Sequence, residues 1–261
     1  MRLDKFLTAS GRFSRKEGAR AAASGEITVN GRSVRKANAP VEPGQDVVCY
    51  KGEEIAYLPH IYVMLNKPEG YVSATSDGRE PGEGKGVPLV TSLLPEYMRK
   101  RGIFPCGRLD KDTVGLMILT DDGPLAHVLL SPKRHVAKKY GFRLDLPLPP
   151  GAEERFRRGV YLGEEKLKSA ILRLNQRRDE GEIVLTQGKY HQIKRMMETE
   201  GSRVTFLERL SFGNIPLDPA LGRGEWRLLT ERETDILREA AAEGGKPPED
   251  TENKTEKEEE K

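Results

Sequence analysis

The hydrophobic rhythm of the chain changes twice within the first fifty residues. Over RLDKFLTAS, Leu3, Phe6 and Leu7 share one face at helical spacing, which predicts a short N-terminal helix. Ser14-Arg15-Lys16-Glu17 has the spacing of a capping box, so a second helix opens there, runs through GARAAA and stops at Gly25. The period then shortens: Ile27-Thr28-Val29, the turn pair Asn30-Gly31 and Arg32-Ser33-Val34 read as a hairpin, with a further strand at PGQDVV. Two helices and a hairpin make one compact module, expected over residues 1–60 and closed by a connector at 56–60.

A second, larger domain is expected over 61–238. IYVMLNKPEGYVSAT reads as an alternating strand broken at Lys67-Pro68 and Gly70. Leu116 to Leu119 form an uninterrupted apolar run between two turns, the pattern of a strand buried on both faces. EIVLT is another strand, ending toward Gly188, and a helix follows from near His191 to Gly201. That helix turns Ile193, Met196 and Met197 to a core and keeps Lys194 and Arg195 near its start. Residues 239–261 are expected to be a charged, solvating tail, because GKPPEDTENKTEKEEEK has no aliphatic or aromatic side chain to bury.

Composition narrows the class. A chain of 261 residues has room for two cores, and no apolar run approaches the roughly 18 residues of a membrane span. With MRLDKFL in place of a signal peptide, the expected location is the cytoplasm. Cys49 and Cys106 lie far apart without C-x-x-C spacing, which points away from a disulfide framework or a zinc cluster; both are read as small buried hydrophobes. The net charge of +3 conceals an asymmetry: Lys246 to Lys261 holds seven acids and four bases, so the rest of the chain carries +6. A basic body suits a polyanionic partner. Between Met1 and Val48 nine Lys or Arg face five acids, and Arg2, Lys5, Arg12, Arg15, Lys16 and Arg20 all fall in or beside the two helices.

The candidate chemistry lies in GRLDKDTVGLMILTDDG, where Asp110 stands at the lip of a buried strand. A carboxylate held there requires a cation or several donors. Lys194 and Arg195 offer the cation, and KKY at Lys138 to Tyr140 adds an aromatic beside basic residues. An acid, an aromatic ring and cations at element junctions suit a site that unstacks a base and acts on its sugar. The Gly-rich segment Asp77 to Val87 fails as a phosphate loop: no glycine stands five positions before Gly84, and Gly86 occupies the place of the required Ser or Thr.

Two resemblances join these pieces. The order of helix, SRKEGARAAASG helix, ITVNG hairpin and PGQDVV resembles the S4 RNA-binding domain, whose basic helices contact RNA phosphates. LNKPEGY, GRLDKDTVGLMILTDDG, SPKRHVAKKY and GKYHQIKRM, in that order, resemble the motifs of RNA pseudouridine synthases, in the subfamily that follows an S4 domain and acts on ribosomal RNA. MRLDKFL, SPKRH and LTDDG are most similar to members acting on the small subunit. The resemblance implies an α+β chain, with a small S4 domain followed by a mixed, largely antiparallel sheet flanked by helices. It implies isomerisation of uridine to pseudouridine, with 16S rRNA as target and 23S rRNA as the alternative. A non-catalytic ribosome assembly factor is the rival from another class. Asp110 takes the place of the essential aspartate, Tyr140 that of the tyrosine against the target base, and Lys194 that of the cation paired with the aspartate. Arg108 takes the place of the arginine that holds the flipped nucleotide, and Arg195 is a basic neighbour for the site or the RNA backbone. His191 is read as structural or RNA-contacting, Cys106 as a core residue, and Asp112, Asp121 and Asp122 as turn residues. The chemistry calls for no metal or other cofactor. The implied partner is ribosomal RNA in a partly assembled subunit, met by a monomer without membrane attachment.

Overall fold

The computed structural model describes residues 1–74, 86–131, 134 and 136–243. Most of the Asp77 to Val87 segment, three residues of SPKRH and the acidic tail lie outside these described residues. Helices α1 (Leu3–Ala9) and α2 (Arg15–Ala23) open the chain, and strands β1 (Ile27–Val29), β2 (Arg32–Ser33), β3 (Val48–Tyr50) and β4 (Glu53–Glu54) follow as an antiparallel sheet in the order β2-β1-β3-β4. The capping box holds in both directions: the Glu17 amide donates to Ser14 Oγ at 3.2 Å and the Ser14 amide to Glu17 Oε2 at 2.7 Å. Asn30 and Gly31 take φ of 49° and 77°, the left-handed pair that a two-residue hairpin requires. Of PGQDVV only Val48 belongs to a strand, since the preceding residues turn with Asn30 and Asp46 bonded side chain to side chain at 2.8 Å. Leu3, Phe6, Leu7, Phe13, Ala22, Ile27 and Val48 close a small core of their own.

The remaining elements are β5 (Tyr62–Lys67), α3 (Glu96–Arg99), β6 (Phe104–Pro105), β7 (Val114–Thr120), α4 (Gly123–Leu130), β8 (Lys138–Leu144), α5 (Ala152–Arg158), β9 (Tyr161–Leu162), β10 (Glu165–Lys166), β11 (Ile171–Leu174), β12 (Glu180–Leu185), α6 (Gln192–Thr199), β13 (Val204–Phe212), β14 (Ile215–Pro216), β15 (Trp226–Leu228) and α7 (Glu231–Glu243). Seven strands run in the order β11-β12-β8-β13-β7-β5-β15, with β14 on β13 and β6 on β7. Every pair is antiparallel except β13 with β7, so the sheet is mixed and largely antiparallel, as expected.

Strand β7 is buried at all seven positions. Strand β5 is too, which corrects the expectation that it alternates. The reason is a core on each side of the sheet: Val63, Leu65, Met117 and Leu119 feed one, while Tyr62, Met64, Leu116 and Ile118 feed the other, as period-2 side chains must. The parallel junction is tight. Gly115 has φ of 97°, and a Cβ there would sit 2.4 Å from the Arg209 carbonyl oxygen. Helix α7 extends to Glu243, five residues past the boundary expected at 238, because Leu237 and Ala241 are buried against the second core.

One side chain ties the N-terminal module to the rest. Arg101 donates to the Ala9 carbonyl at 2.9 Å, the Pro59 carbonyl at 3.0 Å and Asp121 Oδ2 at 2.8 Å, and Asp121 Oδ1 also accepts from the Ile61 amide at 2.8 Å. Asp122 caps α4 through the Leu125 amide and accepts the Tyr62 hydroxyl. Both acids therefore do more than form the expected turn.

Candidate active site

The loop between β6 and β7 carries Asp110, and its backbone is pinned by two buried side chains. Ser73 Oγ donates to the Leu109 carbonyl at 3.0 Å and accepts from the Leu109 amide at 3.1 Å. Lys67, with none of its surface exposed, donates from Nζ to the carbonyls of Thr113 at 2.7 Å, Lys111 at 3.2 Å and Pro68 at 3.2 Å. Burial pushes its pKa down to about 8, against the pull of Asp112, Asp110 and Glu69. Sequence reasoning missed Lys67; the available signal was a lone cation ending an apolar strand.

Above the loop lies a cavity of about 210 Å³ lined by Arg108, Asp110, Thr113, Tyr140, His191 and Lys194, among others. Tyr140 stands on β8 at 8 % exposure, and Lys194 projects from the first turns of α6. Lys194 Nζ is 3.3 Å from Asp110 Oδ2, so the predicted acid and cation do meet across 84 positions of sequence. Asp112 is not only the turn residue expected, because the same ammonium lies 2.6 and 2.8 Å from its two carboxylate oxygens. Burial works against the Lys194 charge, but the Asp112 hydrogen bond and both carboxylates outweigh it and hold its pKa above the ordinary lysine value. Burial likewise opposes the Asp112 charge, and Lys194 overrides it to lower that pKa. His191, at φ 48°, places Nε2 3.5 Å from Asp110 Oδ1 and stacks on the exposed Tyr190 ring at 3.8 Å between centroids. Thr113, another lining residue, has its Oγ1 buried with no hydrogen-bond partner among the described residues.

Arg108 is exposed and lines the cavity. Arg195 is exposed on α6 and does not line the cavity. In the N-terminal module Arg12 and Arg20 share an open groove with Phe13 and Tyr50, while Arg2 pairs with Asp4 at 2.7 Å. Arg15 and Lys16 are exposed on α2 and make no ion pair among the described residues. Cys106 is buried, with a thiol pKa pushed up to about 11 by burial, whereas Cys49 is only half-buried and so departs from expectation. Among the described residues no three His, Cys, Asp or Glu side chains are grouped to hold a metal ion, and no helix is long and apolar enough to cross a membrane.

Comparison with known proteins decides the family. The RNA pseudouridylate synthase family matches residues 61–199, more than half of the chain, and the S4 domain family matches residues 1–47. The chain belongs to the RNA pseudouridine synthases. This synthase is 42 % identical to an RNA pseudouridine synthase of Bacillus subtilis over 247 residues, covering 93 % of this chain and 100 % of that one. It is 38 % identical to ribosomal small subunit pseudouridine synthase A of Escherichia coli, covering 89 % and 98 %. A crystal structure of a pseudouridylate synthase superposes with a TM-score of 0.62 at 30 % identity, covering 91 % of the synthase and 99 % of that chain. The synthase is thus an enzyme acting on RNA, with an S4 domain at its N-terminus and an α+β fold.

Proposed function

We propose that this synthase isomerises a uridine of ribosomal RNA, that of the small subunit, with Asp110 as its essential carboxylate. One observation carries the reading: Asp110 lines a cavity walled by Tyr140, with the Lys194 ammonium 3.3 Å away. Pseudouridine formation breaks the bond from N1 to C1′, turns the uracil over and joins C5 to C1′. The C5 proton leaves and N1 gains one, so nothing is oxidised, reduced or hydrolysed. A carboxylate can begin this by attacking C1′ or by taking the C2′ proton. Either start needs one ionised acid, unlike the two carboxylates of a glycoside hydrolase. Lys194 supplies the counter-charge, Tyr140 packs against the base, and Arg108 at the rim holds the flipped nucleotide. Arg15, Lys16, Arg12 and Arg20 contact phosphates and hold register. The small-subunit target is supported by the name of the Escherichia coli relative and its near full-length match.

The test is tritium release from ribosomal RNA labelled at uridine C5, comparing the full chain with Asp110→Asn on protein-free RNA and on a partly assembled small subunit. Stoichiometric release by the unaltered protein alone supports the whole reading. Release only from large-subunit RNA moves the target. Release by Asp110→Asn refutes the catalytic assignment, and silence on every RNA replaces the reading with a non-catalytic assembly factor.

A further inference from the structure

Behind the Tyr140 wall lies a second cavity of about 410 Å³, and its charge is one-sided. Arg108, Lys138, Lys168, Lys189 and Arg209 line it, and its described lining residues include no aspartate or glutamate. Lys189 is already paired with Glu165. Two of the others sit where a charge is costly. Arg209, 1 % exposed on β13, donates from Nε to the Leu116 carbonyl at 2.6 Å and makes a long contact with Met117 Sδ at 3.8 Å. Lys138, half-buried on β8, donates to the Val136 carbonyl at 2.9 Å. Both cations lean on one ring, at 5.6 Å and 5.5 Å from the Phe212 centroid. Burial first, then the Arg209 charge, push the Lys138 pKa down to about 8, with Cys106 opposing.

Like charges gathered at the edge of a core need compensation, and the described lining contains no carboxylate to give it. Arginine has five N–H donors, and the contacts above leave several unused. An anion entering the cavity would neutralise the pair and satisfy those donors. The geometry points to this cavity as a phosphodiester subsite, taking the RNA backbone that flanks the uridine held beside Asp110. The assignment rests on the reading of the first cavity as the uridine site. Arg108, Tyr140, Gly188 and Lys189 line both cavities, so a strand with its base against Tyr140 continues directly toward the cations. The expected RNA-binding residues of the N-terminal helices lie in another part of the chain. This second set explains how the strand is gripped beside the reacting nucleotide.

The test uses the full chain carrying Asp110→Asn, so that bound nucleotide is not turned over, with three probes: uridine, the dinucleotide UpU, and UpU whose single linkage is a neutral methylphosphonate. Affinities are read by NMR titration. UpU should bind about tenfold more tightly than the methylphosphonate form, the worth of one charge-assisted contact. Adding Lys138→Gln should bring the two dinucleotides to equal affinity, and Lys138→Arg should keep the preference. Lys168→Gln, at an exposed position on the same cavity, gives a second reading if Lys138→Gln does not fold, and should reduce the preference. Equal affinity of both dinucleotides for the Asp110→Asn protein overturns the subsite, as does a preference untouched by Lys138→Gln and Lys168→Gln. These outcomes are separate from tritium release, which tests the isomerase reading without reference to Lys138.

Discussion

Replacing Lys67 by methionine keeps the length of the side chain and removes the ammonium that holds the Asp110 loop. Two opposing terms fix the outcome. The Thr113 bond at 2.7 Å counts fully and the two at 3.2 Å count by half. At about 1.5–3 kcal/mol for a charged donor, their loss costs about 3–6 kcal/mol. Against this, the ammonium is fully buried and its pKa is pushed down to about 8 from 10.5, so removing it relieves about 3 kcal/mol. The net destabilisation at pH 7 is about 0–3 kcal/mol, and each kcal/mol lowers Tm by about 2–4 °C. The pH dependence is the sharper signature. The folded pKa lies below the unfolded one, so between about pH 8 and 10.5 the unfolded chain binds more protons and the stability of the unaltered protein rises with pH. Lys67→Met lacks this rise, and its deficit should widen by about 2–3 kcal/mol between pH 7 and pH 10. Urea unfolding followed by Trp226, the only tryptophan and paired to Leu65 on the same strand, reads it directly. Lys138 titrates alike in both proteins and cancels. A deficit that stays flat or narrows with pH would refute a charged Lys67 within the neutral fold.

Other expectations follow from the same structure. Gly115→Ala combines a positive φ with a Cβ 2.4 Å from the Arg209 carbonyl, so it should cost roughly 2–6 kcal/mol, and a Tm within 2 °C of the unaltered protein by about the same scaling would contradict the close approach. Asp112→Asn removes the closer partner of Lys194, whose raised pKa should then fall. In its proposed role as the charged partner of Asp110, Lys194 should then lose its proton sooner, so the alkaline loss of tritium release should begin at lower pH; an unmoved alkaline limb would show that Asp110 alone holds the ammonium. Arg15→Ala with Lys16→Ala should flatten the salt slope of RNA binding by about 1.4–1.8, measured by filter binding; an unchanged slope would remove α2 from the RNA footprint.

What could be read from the chain alone followed how local each signal is. The capping box at Ser14 and Glu17, the Asn30-Gly31 turn and the apolar run Leu116 to Leu119 within β7 depend on neighbours in sequence, and all three stand as expected. The residues alone offered Lys194 or Arg195 as the cation for Asp110, and the family motifs singled out Lys194, since no periodicity links positions 84 residues apart. Lys67 and Arg209 were invisible for a physical reason. A cation on a strand reads as solvent-facing, and only carbonyls distant in sequence, of Lys111 in a loop for Lys67 and of Leu116 on β7 for Arg209, turn it into an interior group. The double burial of β5 was missed likewise, because what covers its second face includes α7 and the β13–β14 hairpin, far along the chain.

Arg101 gives the enzyme something a flexible tether would not. By joining Ala9, Pro59 and Asp121 through one guanidinium, it fixes the end of α1 against the turn that closes β7, the strand that begins beside Asp110. The two parts then act as a ruler. With Asp110 and α2 in the roles proposed above, a uridine would reach the carboxylate only when the RNA presents its phosphates to α2 at the matching span, and the choice of nucleotide would be set by distance along a folded RNA. Lengthening the 56–60 connector would change which uridine is reached before it changed how fast any uridine reacts.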